Sequence, residues 1–275
     1  MFEGVITALV TPFKNHQVDF SSLEKVLSQQ LMTGVEGFVV SGTTGESPNL
    51  RPSEIIEIFK RVQAVVSGQV PILLGTGSNS TEKTIELTQK AESLGADGAL
   101  VVCPYYNKPP QRGLFSHFLK VAESVELPIV LYNVPSRTVI SLEAETVGNL
   151  GLARAIAERS EPEFTLISGD DDSCIDFIFQ GGSGVISVAS HVIPKEMVRL
   201  TKMAREKDRT ALAEYQRYRN LIRGLGIETN PSPIKMALFF MGLLETPELR
   251  LPLVSMDEKN QEQIKFCLDE LGLLS

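Results

Sequence analysis

The chain has 275 residues, 43% of them hydrophobic, which is enough for one large core, and α/β barrels of this length commonly fold as one domain. A formal charge of −8 argues against a nucleic-acid partner or an anionic membrane surface, and no apolar run reaches membrane-spanning length. Cys103, Cys174 and Cys267 form no paired pattern, which points to a reducing cytoplasm, and His16, His117 and His191 sit in no metal-ligand spacing, so no metal is expected.

Residues 5–10 are the first predicted strand. Ser21 and Glu24, at capping-box spacing, predict a helix with Leu23, Val26, Leu27 and Leu31 on one face, closed by Gly34. A second strand, 37–40, runs into Ser41-Gly42-Thr43-Thr44-Gly45-Glu46-Ser47. Two glycines there permit tight turns, so the threonine hydroxyls either face a pocket or serve an ordinary capping loop. A helix from Ser53 carries Ile55, Ile56, Phe59 and Val62, and the third strand, 71–74, ends in Gly75-Thr76-Gly77-Ser78-Asn79. That loop lacks the spacing of a dinucleotide or P-loop fingerprint and reads as a turn into a helix near Thr81. The fourth strand, 99–103, leads into Pro104-Tyr105-Tyr106-Asn107-Lys108-Pro109-Pro110, a proline-stiffened loop that holds a phenol near the strand ends. After a helix with Val121, Ala122 and Val125, the fifth strand, 128–131, ends in Tyr132, with Arg137 on the turn beyond. In parallel α/β folds that end carries the chemistry, although taken alone the pair reads equally as a core tyrosine and a solvated arginine.

Residues 141–160 read as helical, with an Ala- and Glu-rich stretch from 152 to 159. A strand at 164–167 ends in Ser168-Gly169-Asp170-Asp171-Asp172, whose carboxylates are expected to cap the next helix. Gly181-Gly182-Ser183-Gly184 turns into the last strand, 185–188, and is either a tight turn or a phosphate cradle. Helices at 195–205, 209–225, 233–244 and 258–271 complete the chain. The expected fold is α/β, a TIM (β/α)8-type barrel in residues 1–205 with a helical C-terminal extension in 206–275.

The strand ends Gly42-Thr43-Thr44-Gly45-Glu46, Pro104-Tyr105-Tyr106-Asn107, Tyr132 to Thr138, Ser168 to Asp171 and Gly184 to Val188, with Asn230-Pro231-x-Pro233-x-Lys235, resemble one set in order. From Phe2 to the C-terminus the chain is similar to the 4-hydroxy-tetrahydrodipicolinate synthase (dihydrodipicolinate synthase) family of pyruvate aldolases that act through a Schiff base. The resemblance implies a lyase that condenses pyruvate with L-aspartate 4-semialdehyde in lysine and diaminopimelate biosynthesis, needs no cofactor, and assembles as a dimer or tetramer. It implies a proton relay of Tyr132, Thr43 and Tyr106, with Tyr106 supplied across a subunit interface. Arg137 would hold the aldehyde's carboxylate, while Thr44, Gly169 and the Ile186 backbone line the substrate pocket. Related sugar-acid lyases share Gly-x-Thr-Gly-Glu and the Tyr-Asn strand end but not Val134-Pro135-Ser136-Arg137, which favours the dipicolinate branch.

One element of that family has no counterpart. Its sixth strand, apolar-apolar-Gly-Ile-Lys-Glu, supplies the Schiff-base lysine, and no such lysine is found here. From Pro128 to Phe164 is 36 residues, room for one strand-helix unit of roughly 30 rather than two. A loss of about 16 residues near 148–149 accounts for the interval and leaves seven strands where the barrel has eight. The alternatives are therefore a lyase with impaired chemistry and a non-catalytic relative that keeps a keto-acid pocket.

Overall fold

A computed structural model describes residues 2–142 and 165–274. Seven parallel strands form one curled sheet: β1 (Gly4–Ala8), β2 (Gly37–Val40), β3 (Ile72–Gly75), β4 (Gly98–Val102), β5 (Ile129–Tyr132), β6 (Ile167–Ser168) and β7 (Gly184–Ser187). The order across the sheet is β5-β4-β3-β2-β1-β7-β6, which is the order of a barrel cut between its fifth and sixth described strands. Among the described residues nothing pairs β5 with β6. The expected helix at 141–160, its Ala- and Glu-rich stretch, the point near 148–149 and the start of the strand at Phe164 lie outside the described residues, apart from Ser141 and Leu142, which are not helical.

Parallel neighbours require crossover segments, and α1 (Phe20–Met32), α2 (Pro52–Val66), α3 (Thr81–Ser93) and α4 (Gln111–Ala122) supply them on the outer face. Side chains alternate along each strand. Ile6, Val39, Leu73 and Leu100 point inward as one cluster, while Val5, Phe38, Val40 and Leu74 pack outward with Leu23, Val26, Leu27, Phe59 and Val62 of α1 and α2. A fully buried side chain of this size contributes about 1.5–3 kcal/mol, so these layers dominate the stability of β1 to β4.

Local differences from the sequence expectation have local causes. Helix α1 starts at Phe20, because Asp19 rather than Ser21 is the cap: its carboxylate accepts the Ser22 N–H at 3.1 Å. The expected helix 209–225 divides into α8 (Thr210–Tyr215), a 3-10 turn (Gln216–Tyr218) and α9 (Arg219–Gly224), following the short turn α5 (Pro135–Thr138), α6 (Cys174–Phe179) and α7 (Pro194–Arg205). Tyr215 is held by the Asp171 carbonyl and Cys174, and Arg219 by Asp172, and the segment tightens between these two anchors. Helices α10 (Ser232–Phe240) and α11 (Glu258–Glu270) follow. The turn at Gly181 to Gly184 precedes β7 and so lies at the opposite end of the strand from the loops that follow it. A Cβ on Gly184 would sit 2.1 Å from the Gly4 carbonyl oxygen, so glycine is there for close strand approach, and the phosphate-cradle alternative does not hold. No helix among the described residues is long and apolar enough to cross a membrane.

Candidate active site

The loop after β2 is the most constrained part of the strand-end face. Ser41 and Glu46, at its two ends, both adopt the left-handed conformation, with φ of 57° and 55°. Each costs a non-glycine residue of order 1 kcal/mol, so surrounding bonds must hold the loop. Thr11 Oγ1 donates to the Gly45 carbonyl at 2.8 Å, and the Glu46 N–H donates to the Thr43 carbonyl at 3.0 Å. The Glu46 carboxylate is buried and forms an ion pair with fully buried Lys235, while accepting the Arg250 N–H at 3.1 Å. Gly75 closes the other side: a Cβ there would meet the Ser41 carbonyl oxygen at 2.1 Å.

That loop brings Thr43 and Thr44 into a cavity with Tyr132 from the end of β5, Arg137 from α5, Gly169 from the loop after β6 and Ile186 of β7. Six of the seven residues named from the sequence therefore share one space. Tyr106 does not: it is 90% exposed, has φ of 73°, and lies outside the residues lining the cavity. The cavity continues along the flank of the sheet beside β5, past Val130, Leu131, Phe115 and Leu119, and its volume of about 1810 Å³ exceeds the 300–1,000 Å³ usual for a ligand pocket.

Burial pushes the Tyr132 phenol above its ordinary value near 10, opposed by the positive charge of Arg137 and by a hydrogen bond with the Thr43 side chain. Tyr132 is therefore a neutral hydroxyl at physiological pH, joined to a second hydroxyl and adjacent to a fixed cation. Such a pair can pass a proton, and Arg137 can meet a carboxylate with a planar fork that keeps its charge.

The three aspartates after β6 have separate tasks, which corrects the expectation that they cap a helix together. Asp170 accepts from the N–H and hydroxyl of Ser173 at 3.0 and 2.6 Å, a local turn ahead of α6. Asp171 reaches across to the end of β7 and accepts the N–H groups of Val188 and Ala189, each at 2.9 Å. Burial raises its carboxyl above the usual range, opposed by the Ser187 hydroxyl and those two backbone donors. Asp172 pairs with Arg219 at 3.1 Å. Asp171 thus fixes the strand end next to Ile186, a role that depends on contact across 17 residues and has no local sequence signature. Among the described residues no cluster of three or more His, Cys, Asp or Glu could hold a metal ion.

No lysine lines the cavity among the described residues, and the sequence has none between Lys120 and Lys195. Lys108, Lys120 and Lys195 are exposed and outside the lining. Burial lowers Lys235 to about 8, against the attraction of Glu46, a shift that suits a nucleophilic amine. Its position does not suit one: the side chain is fully buried, bound to Glu46 and to the Glu248 carbonyl at 2.9 Å, and stacked 4.2 Å from the centre of the Phe13 ring. Lys235, Glu46 and Asn230 were visible in the sequence as motif residues without a role, and the folded chain makes them the support of the Thr43-Thr44 loop.

The sequence model of the dihydrodipicolinate synthetase family matches residues 1–271. A protein named 4-hydroxy-tetrahydrodipicolinate synthase in Bdellovibrio bacteriovorus is 50% identical over 291 positions, covering 99% of each chain. Its namesake in Methanocaldococcus jannaschii is 43% identical over 290 positions, covering 100% of each. That alignment contains this whole chain of 275 residues, so about 15 of its 290 positions face no residue here. Among solved structures, a chloride-inhibited dihydrodipicolinate synthase from Acinetobacter baumannii, complexed with pyruvate, superposes with a TM-score of 0.95 at 37% identity over 100% of each chain.

Proposed function

The chain belongs to the dihydrodipicolinate synthetase family, and from that premise we propose that its cavity binds a 2-oxo acid such as pyruvate, together with the carboxylate of a second substrate, without the amine that the condensation needs. One observation carries this reading: Thr43, Thr44, Tyr132 and Arg137 line one cavity that no lysine lines among the described residues. Joining a 2-oxo acid to an aldehyde by the Schiff-base route starts with an amine attacking the keto carbon and expelling water. The resulting iminium draws electrons from the adjacent methyl, which then loses a proton and attacks the aldehyde. The tyrosine-threonine pair can carry the protons of those steps, and Arg137 can hold the aldehyde's carboxylate. Hydroxyl groups cannot form the iminium.

Two further features support the reading. The alignment positions without a counterpart match in number the segment that the sequence lacks, about a strand and its flanks. The Acinetobacter relative holds pyruvate in its own structure. The second reading, a working synthase, is favoured by the 50% identity to the Bdellovibrio protein and would show as steady turnover of pyruvate and the aldehyde.

The binding part of the proposal is tested by calorimetric titration with pyruvate and with a dicarboxylate analogue of the aldehyde. Both should bind saturably, and Arg137→Ala should weaken the dicarboxylate by about 1.5–3 kcal/mol through loss of a charge-assisted bond, with pyruvate changed less. Equal affinity in the variant would remove Arg137 from the site.

A further inference from the structure

We propose that Asn230 is a positioning residue that sets the polarity of the Thr44 hydroxyl. It deepens the reading of the cavity as a 2-oxo-acid site and rests on it. The Asn230 Nδ2 donates to Thr44 Oγ1 at 2.9 Å, across 186 residues of sequence. A threonine hydroxyl has one proton and can accept through its lone pairs. With an amide donor seated on the oxygen, the Thr44 proton is directed elsewhere, and Thr44 is only 3% exposed and lines the cavity. The hydroxyl is thereby presented to the cavity as a donor, which selects an acceptor such as the carboxylate of a 2-oxo acid.

The orientation of the amide follows from what it leaves unpaired. Asn230 Oδ1 is buried without a partner. Turning the amide over would instead bury an unpaired amino group, and orphaned buried donors are rarer than under-satisfied carbonyl oxygens. Asn230 is also held in place by its own segment. Lys235 grips Glu46 at the end of the same loop, the Arg250 N–H reaches the other Glu46 oxygen at 3.1 Å, and Asn49 Nδ2 donates to the Arg250 carbonyl at 3.1 Å. The region that the sequence presents as an appended helical extension is the wall that supports the threonine loop.

The test is a double-substitution cycle read by titration with pyruvate, with thermal unfolding as a check on folding. Thr44→Val and Asn230→Ala should each weaken pyruvate by ~5- to 20-fold, and the pair together by no more than the larger single effect. The isosteric Asn230→Asp removes the donor with little change of shape. It should lose pyruvate affinity while leaving the neutral amide analogue, pyruvamide, bound as well as before or better, a pattern that a purely structural role would not produce. Loss from Asn230→Ala that is as large in the Thr44→Val background as in the unsubstituted chain would overturn the proposal alone. Retained pyruvate affinity in Asn230→Asp would do the same, because the hydroxyl would then be donating to residue 230. Pyruvate that fails to bind the unsubstituted chain, or that binds Thr44→Val unchanged, would overturn both this proposal and the reading of the cavity.

Discussion

The two flanks of the sheet follow the same chain logic and end differently. On the flank from β1 to β4 the inward residues Ile6, Val39 and Leu73 are at most 1% exposed, and the loop after β2 is tied through Glu46 to Lys235 and Arg250 of the C-terminal region. On the flank from β5 to β6, Leu131 is 43% exposed, Phe115 on α4 is 69% exposed, and β5 has no fully buried residue. The strands themselves are of the same kind. Among the described residues, what separates the flanks is the number of neighbours, since a barrel strand is buried by the strand on each side and the helices behind it. The cavity's hydroxyls belong to both flanks, with Thr43 on the closed one and Tyr132 on the open one, so the pocket keeps its shape only as far as the two remain in register.

The largest test of this contrast is to close the open flank. Inserting a segment of the family form, an apolar strand ending Gly-Ile-Lys-Glu with its flanking residues, after Gly148 should bury several large side chains and raise stability by about 5–10 kcal/mol. In a chain of this size that corresponds to a rise in melting temperature of roughly 10–20 °C or more by calorimetry. A gain of a degree or two would mean that the open flank already has its cover. Truncations should then discriminate between the flanks. Ile6→Ala should cost about 2–5 kcal/mol in denaturant unfolding, whereas Val130→Ala should cost about 1 kcal/mol, because a half-covered side chain has less to lose. Equal costs would contradict the contrast.

A smaller test uses pH and addresses the closed flank only. Hydrogen bonds from Arg250, at 2.7 and 2.8 Å, hold the Glu54 carboxylate well below the usual range against the opposing effect of burial, with Arg51 assisting. Because the folded-state value is depressed, the unfolded chain takes up protons first. The stabilisation is therefore complete above about pH 4.5 and fades as pH falls below that toward the folded-state value. Arg250→Met should cost about 3 kcal/mol at neutral pH, and the gap should narrow on acidification. A gap that is constant from pH 6 to pH 3 would remove Glu54 from the account.

How much of this was legible beforehand depended on the range of the interaction. Apolar runs broken by Gly and Pro located six of the seven strands to within two residues, because strand burial and turn geometry are local properties, whereas the strand expected at 164–167 begins only at Ile167. The same strand ends offered Thr43, Thr44, Tyr132 and Arg137, while Gly169 and Ile186 were named through the family resemblance. The Asp19 cap was missed because Ser21 and Glu24 offer a capping pattern two residues later, and only the folded position of the Asp19 carboxylate separates the two. Asp171, Asn230 and Lys235 were beyond reach for another reason. Their partners Val188, Thr44 and Glu46 lie between 17 and 189 residues away, and no periodicity encodes which buried donor will meet which acceptor. Tyr106 was named through resemblance to proteins in which a second subunit completes the site, and in a single chain it faces outward.

The central claim is that this cavity keeps the hydroxyls and lacks the amine. It is tested most directly by incubating the chain with pyruvate and borohydride and measuring the intact mass. Borohydride reduces an iminium to a stable secondary amine, so a lysine that had formed one would be tagged permanently. The account predicts no pyruvate-dependent gain in mass for the chain of 275 residues, and a gain of one reduced pyruvyl group once the lysine-bearing strand is inserted. A pyruvate- and borohydride-dependent gain on the unaltered chain would contradict it, and the tagged peptide would identify the lysine responsible.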